Sequence, residues 1–214
     1  MQNLEDAFGG IDIYLFDQLL RGRIRQTDVI VDAGCGWGRN LTYFLRNGYQ
    51  VFGIDADGEG VAVVRRLAAA LAPALAPTNF RVEPIERSSL PDGLGSVVIS
   101  SAVLHFSRTD AEFDAMLAGT WRLVAAGGLL FCRLASTIGT ESLVRKISPT
   151  DRRFSLPDGT DRYLVDEALL MARTASMGGQ LLDPLKTTVV QNQRSMTTWV
   201  LRRPKPEEAA GDLQ

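Results

Sequence analysis

The chain has 214 residues, 45% hydrophobic and 22% charged, which suits one domain with a modest extension and an ordinary buried core. Its 23 Lys and Arg against 25 Asp and Glu leave a net charge of −2, which argues against nucleic acid as the main partner. No apolar run is long enough to span a bilayer, the first residues lack the basic and apolar regions of a signal peptide, and Cys35, Cys132 and one histidine make no metal site, so reduced thiols in a cytosolic protein are expected.

Residues 1–28 precede the first strand. The run Ile11 to Leu20 puts Ile13, Phe16 and Leu20 on one helical face. A helix on the sheet edge and a lid over a ligand both fit it, with Tyr14 as a lid contact. Arg21, Arg23 and Arg25 read as a solvated basic turn.

The stretch Val29-Ile30-Val31-Asp32-Ala33-Gly34-Cys35-Gly36-Trp37-Gly38-Arg39-Asn40 reads as a strand, a glycine-rich turn and the start of a helix running to Asn47. Three alternate glycines let a ligand approach the backbone without Cβ interference. Helix-start amides then face that ligand. The spacing is G-x-G-x-G, whereas a dinucleotide turn has G-x-G-x-x-G. Asp32 at the mouth of the turn disfavours a pyrophosphate and favours a cation. S-adenosylmethionine (SAM), with its ammonium and sulfonium groups, suits that better.

Gln50 to Asp55 is a second strand ending in an acid. Asp55 stands near the spacing at which such an acid reaches ribose hydroxyls. Gly60 to Leu75 is an alanine- and leucine-rich helix ended by Pro73 and Pro77. Asn79 to Glu83 is a third strand, and Pro84 to Leu94 a loop. Ser96 to Ser101 is a fourth, apolar strand suited to burial on both faces. Thr109 or Asp110 caps a helix reaching Ala125, with Ala118, Trp121 and Leu123 inward. Gly127-Gly128 ends it before a fifth strand, Leu129 to Leu134. Ser136 to Tyr163 is a long polar connection, a length that tends to be functional. Asp166 to Met177 is a last helix. Leu181–Gln191 and Ser195–Arg202 form an antiparallel pair at one sheet edge.

Asp32-Ala33-Gly34-Cys35-Gly36-Trp37-Gly38 resembles the first motif of class I SAM-dependent methyltransferases. The resemblance runs from about Asp28 to Leu134, and more weakly beyond. The Arg39-Asn40 ending is also similar to compact, tellurite-resistance-type small-molecule methyltransferases. The departure lies near Ser96, where many members carry an aspartate remote from the chemistry. By this resemblance Glu86 stands where the family has an acid for the adenine amino group, and Arg87 offers its backbone amide to the ring. The cofactor-binding set so implied is Asp32, Gly34, Cys35, Gly36, Gly38, Asn40, Asp55, Ala56, Glu86, Arg87 and Ser101. His105 follows the fourth strand and serves either as a general base or as pocket wall and cofactor support. Arg133, Arg152, Arg153 and Arg162 are candidate contacts for an anionic substrate, though a solvated loop accounts for any one of them.

The expected fold is α/β, a Rossmann-like, mostly parallel seven-stranded sheet with helices on both faces and an antiparallel C-terminal hairpin. The expected division is a helical lid over 1–28, a SAM-binding domain over 29–203 and a disordered tail over 204–214. The expected function is methyl transfer from SAM to a small-molecule acceptor by in-line displacement, with no metal and no membrane. The alternatives are a non-catalytic SAM-binding or partner-binding protein and an NAD-dependent oxidoreductase.

Overall fold

The computed structural model describes residues 3–206. Strands β1 (Val29–Ala33), β2 (Gln50–Asp55), β3 (Phe80–Val82), β4 (Gly95–Ser101) and β5 (Val124–Ala135) pair in parallel in the order β3-β2-β1-β4-β5. The β-branched run Val29-Ile30-Val31 sits at the centre because it can be buried on both faces. Strands β10 (Lys186–Val190) and β11 (Arg194–Arg202) complete the sheet as the expected antiparallel hairpin, β11 lying against β5. The two-residue strand β9 (Gln180–Leu181) adds to the far end of β11, an eighth strand the sequence reading did not separate from β10.

Helices cover both faces. Helices α2 (Ile13–Leu20), α3 (Thr42–Arg46) and α4 (Gly58–Leu71) share one core through Leu15, Phe44 and Val64. Helices α5 (Asp110–Arg122) and α6 (Glu167–Ser176) share the other through Phe113, Leu170 and the sheet residue Trp199. A short α1 (Leu4–Phe8) packs on α3, with Phe8 stacked on Tyr43 at 5.4 Å. Among the described residues no helix is long and apolar enough to cross a membrane.

Several expectations change. The helix after the glycine turn begins at Thr42, not Arg39, because residues 34–41 are used as turn. Strand β5 begins at Val124, and Ala118 on α5 is exposed while Phe113, Leu117 and Trp121 are buried. On α2 the buried side is Leu15 and Gln18; Ile13 is 70% and Leu20 72% exposed. Polar anchors set this roll. Arg21 and Arg23 pair with Asp183 at 3.0 and 2.7 Å, and Gln18 also donates to Asp183. Arg21 and Arg23 are thus an ionic clasp to the segment before β10, not a solvated turn.

The connection 136–163 is not structureless. It contains a three-stranded antiparallel sheet, β6 (Arg145–Lys146), β7 (Arg153–Ser155) and β8 (Asp161–Tyr163), with its own small core of Leu156 and Leu164. The expected tail falls mostly at 207–214, outside the described residues; Arg203 at its threshold is tied to Gly128 and Val124.

Candidate active site

Strand β1 has β2 on one side and β4 on the other, so the chain order reverses there. In open α/β sheets the crevice at such a point takes ligands. A cavity of about 570 Å³ lies there, walled by the segments that follow β1, β2 and β4, by the turn at Ile85–Arg87, and by α5.

The glycine turn forms the floor. Gly34, Gly36 and Gly38 have φ of +91°, +47° and +81°, where L side chains are strained. A Cβ on Gly34 would strike Val103 at 2.4 Å, whereas one on Gly36 would meet nothing within 4 Å. The first glycine therefore permits close packing against the segment after β4, and the second leaves room for a ligand. The amides of Gly34 and Cys35 donate to the Ile54 carbonyl, and that of Gly36 to Asp55 Oδ2 at 2.7 Å. Asp55 Oδ1 also accepts from the Asp57 amide at 2.8 Å. Asp55 thus clamps the turn to the end of β2 while facing the cavity.

Asp32 lies beneath the turn, 1% exposed, not on the cavity wall. Burial, then the neighbouring Asp55 carboxylate, push its pKa up to about 8, against the pull of Arg39. Its Oδ1 has no hydrogen-bond partner among the described residues. Cys35 lines the cavity as a free thiol whose ionisation is pushed above the ordinary range by burial and then by Asp32 and Asp55. It is therefore a neutral wall group, not a nucleophile.

The structure brings Gly34, Cys35, Gly36, Asn40, Asp55, Ala56, Glu86 and Ser101 onto this one cavity. Gly38 and Arg87 do not reach the wall, and the Arg87 amide already donates to the Pro84 carbonyl. Glu86 does face the cavity, on a turn held against α5 at Gly119, where a Cβ would meet the Ile85 carbonyl at 2.6 Å.

His105 sits one layer behind the wall, 6% exposed. Its Nδ1 accepts the Ala135 amide at 3.1 Å, so the neutral ring carries its proton on Nε2. Burial, then Arg162 and Arg133, lower its pKa to about 4. The imidazole is neutral at physiological pH, yet its one lone pair is spent on backbone. Phe106 beside it does line the cavity and is 57% exposed.

Sequence reasoning missed the buried centre at Asp12. Its Oδ1 accepts the Tyr14 amide as an N-cap, and its Oδ2 faces Arg133 Nη1 at 3.2 Å and Ser101 Oγ at 3.3 Å. Its own amide donates to Asn40 Oδ1 at 3.0 Å. Arg39, which lines the cavity, donates to Ser101 Oγ at 2.9 Å. Tyr14 lies under the Arg133 guanidinium and bonds Thr188 at 2.7 Å. The N-terminal helix is thereby fastened to the cavity edge through groups far apart in sequence. An Asp before an apolar helix was legible as a cap; its partners were not. Ala102, at φ +63°, is a second missed feature: a non-glycine residue held in the left-handed region on the cavity wall.

Residues 31–132 match the family model described as a methyltransferase domain. No curated protein sequence matches the chain. Among solved structures, the 1,6-didemethyltoxoflavin-N1-methyltransferase of Burkholderia thailandensis, with bound 1,6-didemethyltoxoflavin and S-adenosylhomocysteine, is 17% identical. The match covers 87% of this chain and 76% of that one, with a TM-score of 0.66. Magnesium protoporphyrin IX methyltransferase of Synechocystis PCC 6803, with bound S-adenosylhomocysteine, is 19% identical over 89% and 81% of the two chains, TM-score 0.68. The 4+2 cyclase SpnF is 15% identical over 90% and 81%, TM-score 0.67. At such identities the structural likenesses establish the fold, and the family match spans residues 31–132, just under half of the chain.

Proposed function

We propose that the chain is a class I, SAM-dependent methyltransferase that methylates a small-molecule acceptor held in the cavity beside the glycine turn, a reading supported by the family match over residues 31–132. The observation that carries this reading is the joint placement of the glycine turn, Asp55 and Glu86 on one cavity at the switch point of the sheet. The residues fit a cationic nucleoside ligand. The open space above Gly36 admits its backbone-hugging part, and Asp55 and Glu86 supply carboxylates to the wall.

When bound, SAM supplies a methyl group on a cationic sulfur, already a strong electrophile. The chain's own work is therefore positioning. Gly34 to Gly36 and Asp55 hold the methionine and ribose parts, and Ile85 with Glu86 hold the adenine. Val103, Phe106 and Met116 form an apolar wall that turns an acceptor toward the glycine turn and excludes water. Orientation of this kind is worth about 7–11 kcal/mol. His105 stiffens that wall from behind; its lone pair, held by the Ala135 amide, takes no proton from the acceptor. The free, buried Cys35 and Cys132 suit a reducing, cytosolic location, which imaging of the tagged protein tests.

Calorimetric titration with S-adenosylhomocysteine, and with NAD in parallel, tests the reading. Micromolar binding of the first, weakened at least about tenfold by Asp55→Ala (the loss of a charge-assisted hydrogen-bond acceptor), is expected. Binding of NAD alone would overturn it. Binding of S-adenosylhomocysteine with no methyl transfer across a broad acceptor panel would favour the non-catalytic alternative.

A further inference from the structure

The four arginines that the sequence offers for an anion, Arg133, Arg152, Arg153 and Arg162, lie behind or beside the cavity wall, not on it, and the structure separates them. Arg133 is taken by Asp12. Arg152 is taken by Asp166 and the Leu164 carbonyl. Arg153 donates to the Ser107 carbonyl. Arg162 alone of the four makes no ion pair or long-range hydrogen bond among the described residues; its Nη1 donates to the adjacent Asp161 carbonyl at 2.8 Å. Its guanidinium lies 5.0 Å from the centroid of the Phe106 ring.

That placement comes from the sheet in the long connection. In its register Lys146 stands opposite Phe154 and Phe154 opposite Arg162, so one row carries cation, ring and cation. The strand bearing Arg162 packs on the Leu104–Phe106 turn that forms the apolar wall. Asp158 is held below the usual carboxylate range first by the Thr160 hydroxyl and in part by the charge of Arg162, with which it forms no ion pair.

The wall itself is unusual in what it leaves in water. Phe106 is 57% and Trp37 64% exposed, and both line the cavity together with Val103 and Met116. Exposed aromatic faces around a concave apolar surface favour a flat, apolar occupant. A planar guanidinium with unspent donors favours a carboxylate-like anion. We propose that the acceptor is a planar aromatic molecule bearing an anionic group, its ring against Phe106 and its anion on Arg162. This rests on the methyltransferase reading and names the class of substrate for that site.

The test uses the full chain saturated with S-adenosylhomocysteine and titrated with 2-naphthoate and with 2-naphthamide, its uncharged counterpart of the same shape. The anion should bind about tenfold more tightly, the scale of one charge-assisted hydrogen bond. Arg162→Gln should erase that preference by weakening 2-naphthoate alone, and Arg162→Lys should retain part of it. Phe106→Ala should weaken both probes. Raising the salt concentration should shrink the preference in the unaltered protein, a result that stands even if a variant fails to fold. Equal affinity for the two probes, no binding of 2-naphthoate at millimolar concentration, or a preference untouched by Arg162→Gln would overturn the proposal. Titration with S-adenosylhomocysteine alone separates the two levels. Its binding without probe discrimination sinks only the acceptor class, while discrimination without its binding sinks the methyltransferase reading.

Discussion

Two buried ionisable side chains show how position overrides residue type. His105 is the one histidine of the chain and follows a strand that ends at the cavity, yet it serves as a hydrogen-bond acceptor for Ala135. With its pKa lowered to about 4, it stays neutral through physiological pH. His105→Gln should therefore leave the pH profile of turnover between pH 6 and 8 unchanged in shape, lowering only stability. A lost inflection near neutral pH in that variant would restore the base role. Asp32 moves the other way. Its native pKa of about 8 exceeds the ordinary carboxylate value, so between those two values the folded chain holds a proton the unfolded chain has released. The stability it contributes is full below the unfolded pKa and is lost as pH rises through about 8. Urea midpoints at pH 5 and pH 8 should thus differ less in Asp32→Asn than in the parent, and an unchanged difference would sink the assignment.

At the level of elements, the N-terminal helix shows why an amphipathic pattern does not fix a helix's roll. Helix α2 offers one stripe through Ile13, Phe16 and Leu20 and another through Leu15 and Leu19, nearly matched in apolar character. Asp12 at its start and Gln18, Arg21 and Arg23 at its end choose between them by their partners. The Asp12 carboxylate is 2% exposed and the Arg133 side chain 19%, so removing one charge strands the other. Asp12→Asn keeps the cap to Tyr14 and should cost roughly 3–5 kcal/mol in urea unfolding. Asp12→Asn combined with Arg133→Met should recover most of that loss. If the two effects add instead, the pair is not coupled.

For the molecule as a whole, binding in the cavity should register as stability, because the ligand's walls come from the segments after β1, β2 and β4 and from α5 together. S-adenosylhomocysteine at about 100 times its Kd adds ~2.7 kcal/mol, which for a chain of this size raises the melting temperature by roughly 5–10 °C. NAD at equal concentration should not move it; a shift with NAD alone would contradict the cofactor assignment.

The mostly parallel sheet, the glycine turn and the acid Asp55 at the end of its strand were legible in the sequence, whereas Glu86 was reached only through the family resemblance. The first three depend on local signals: β-branched runs, a glycine spacing, an acid at a strand end. Those signals come from backbone sterics and from burial on both faces, which act within a few residues. Tertiary structure decided what lies across long separations. Asp12 meets Arg133 and Ser101, Asp183 gathers Arg21 and Arg23, and the polar stretch 136–163 becomes a small sheet that carries Arg162 to Phe106. A charged side chain is drawn equally to any opposite charge it can reach, and nothing in its neighbours along the chain names that partner. Only the packing of the two cores, by fixing which faces are buried, does so.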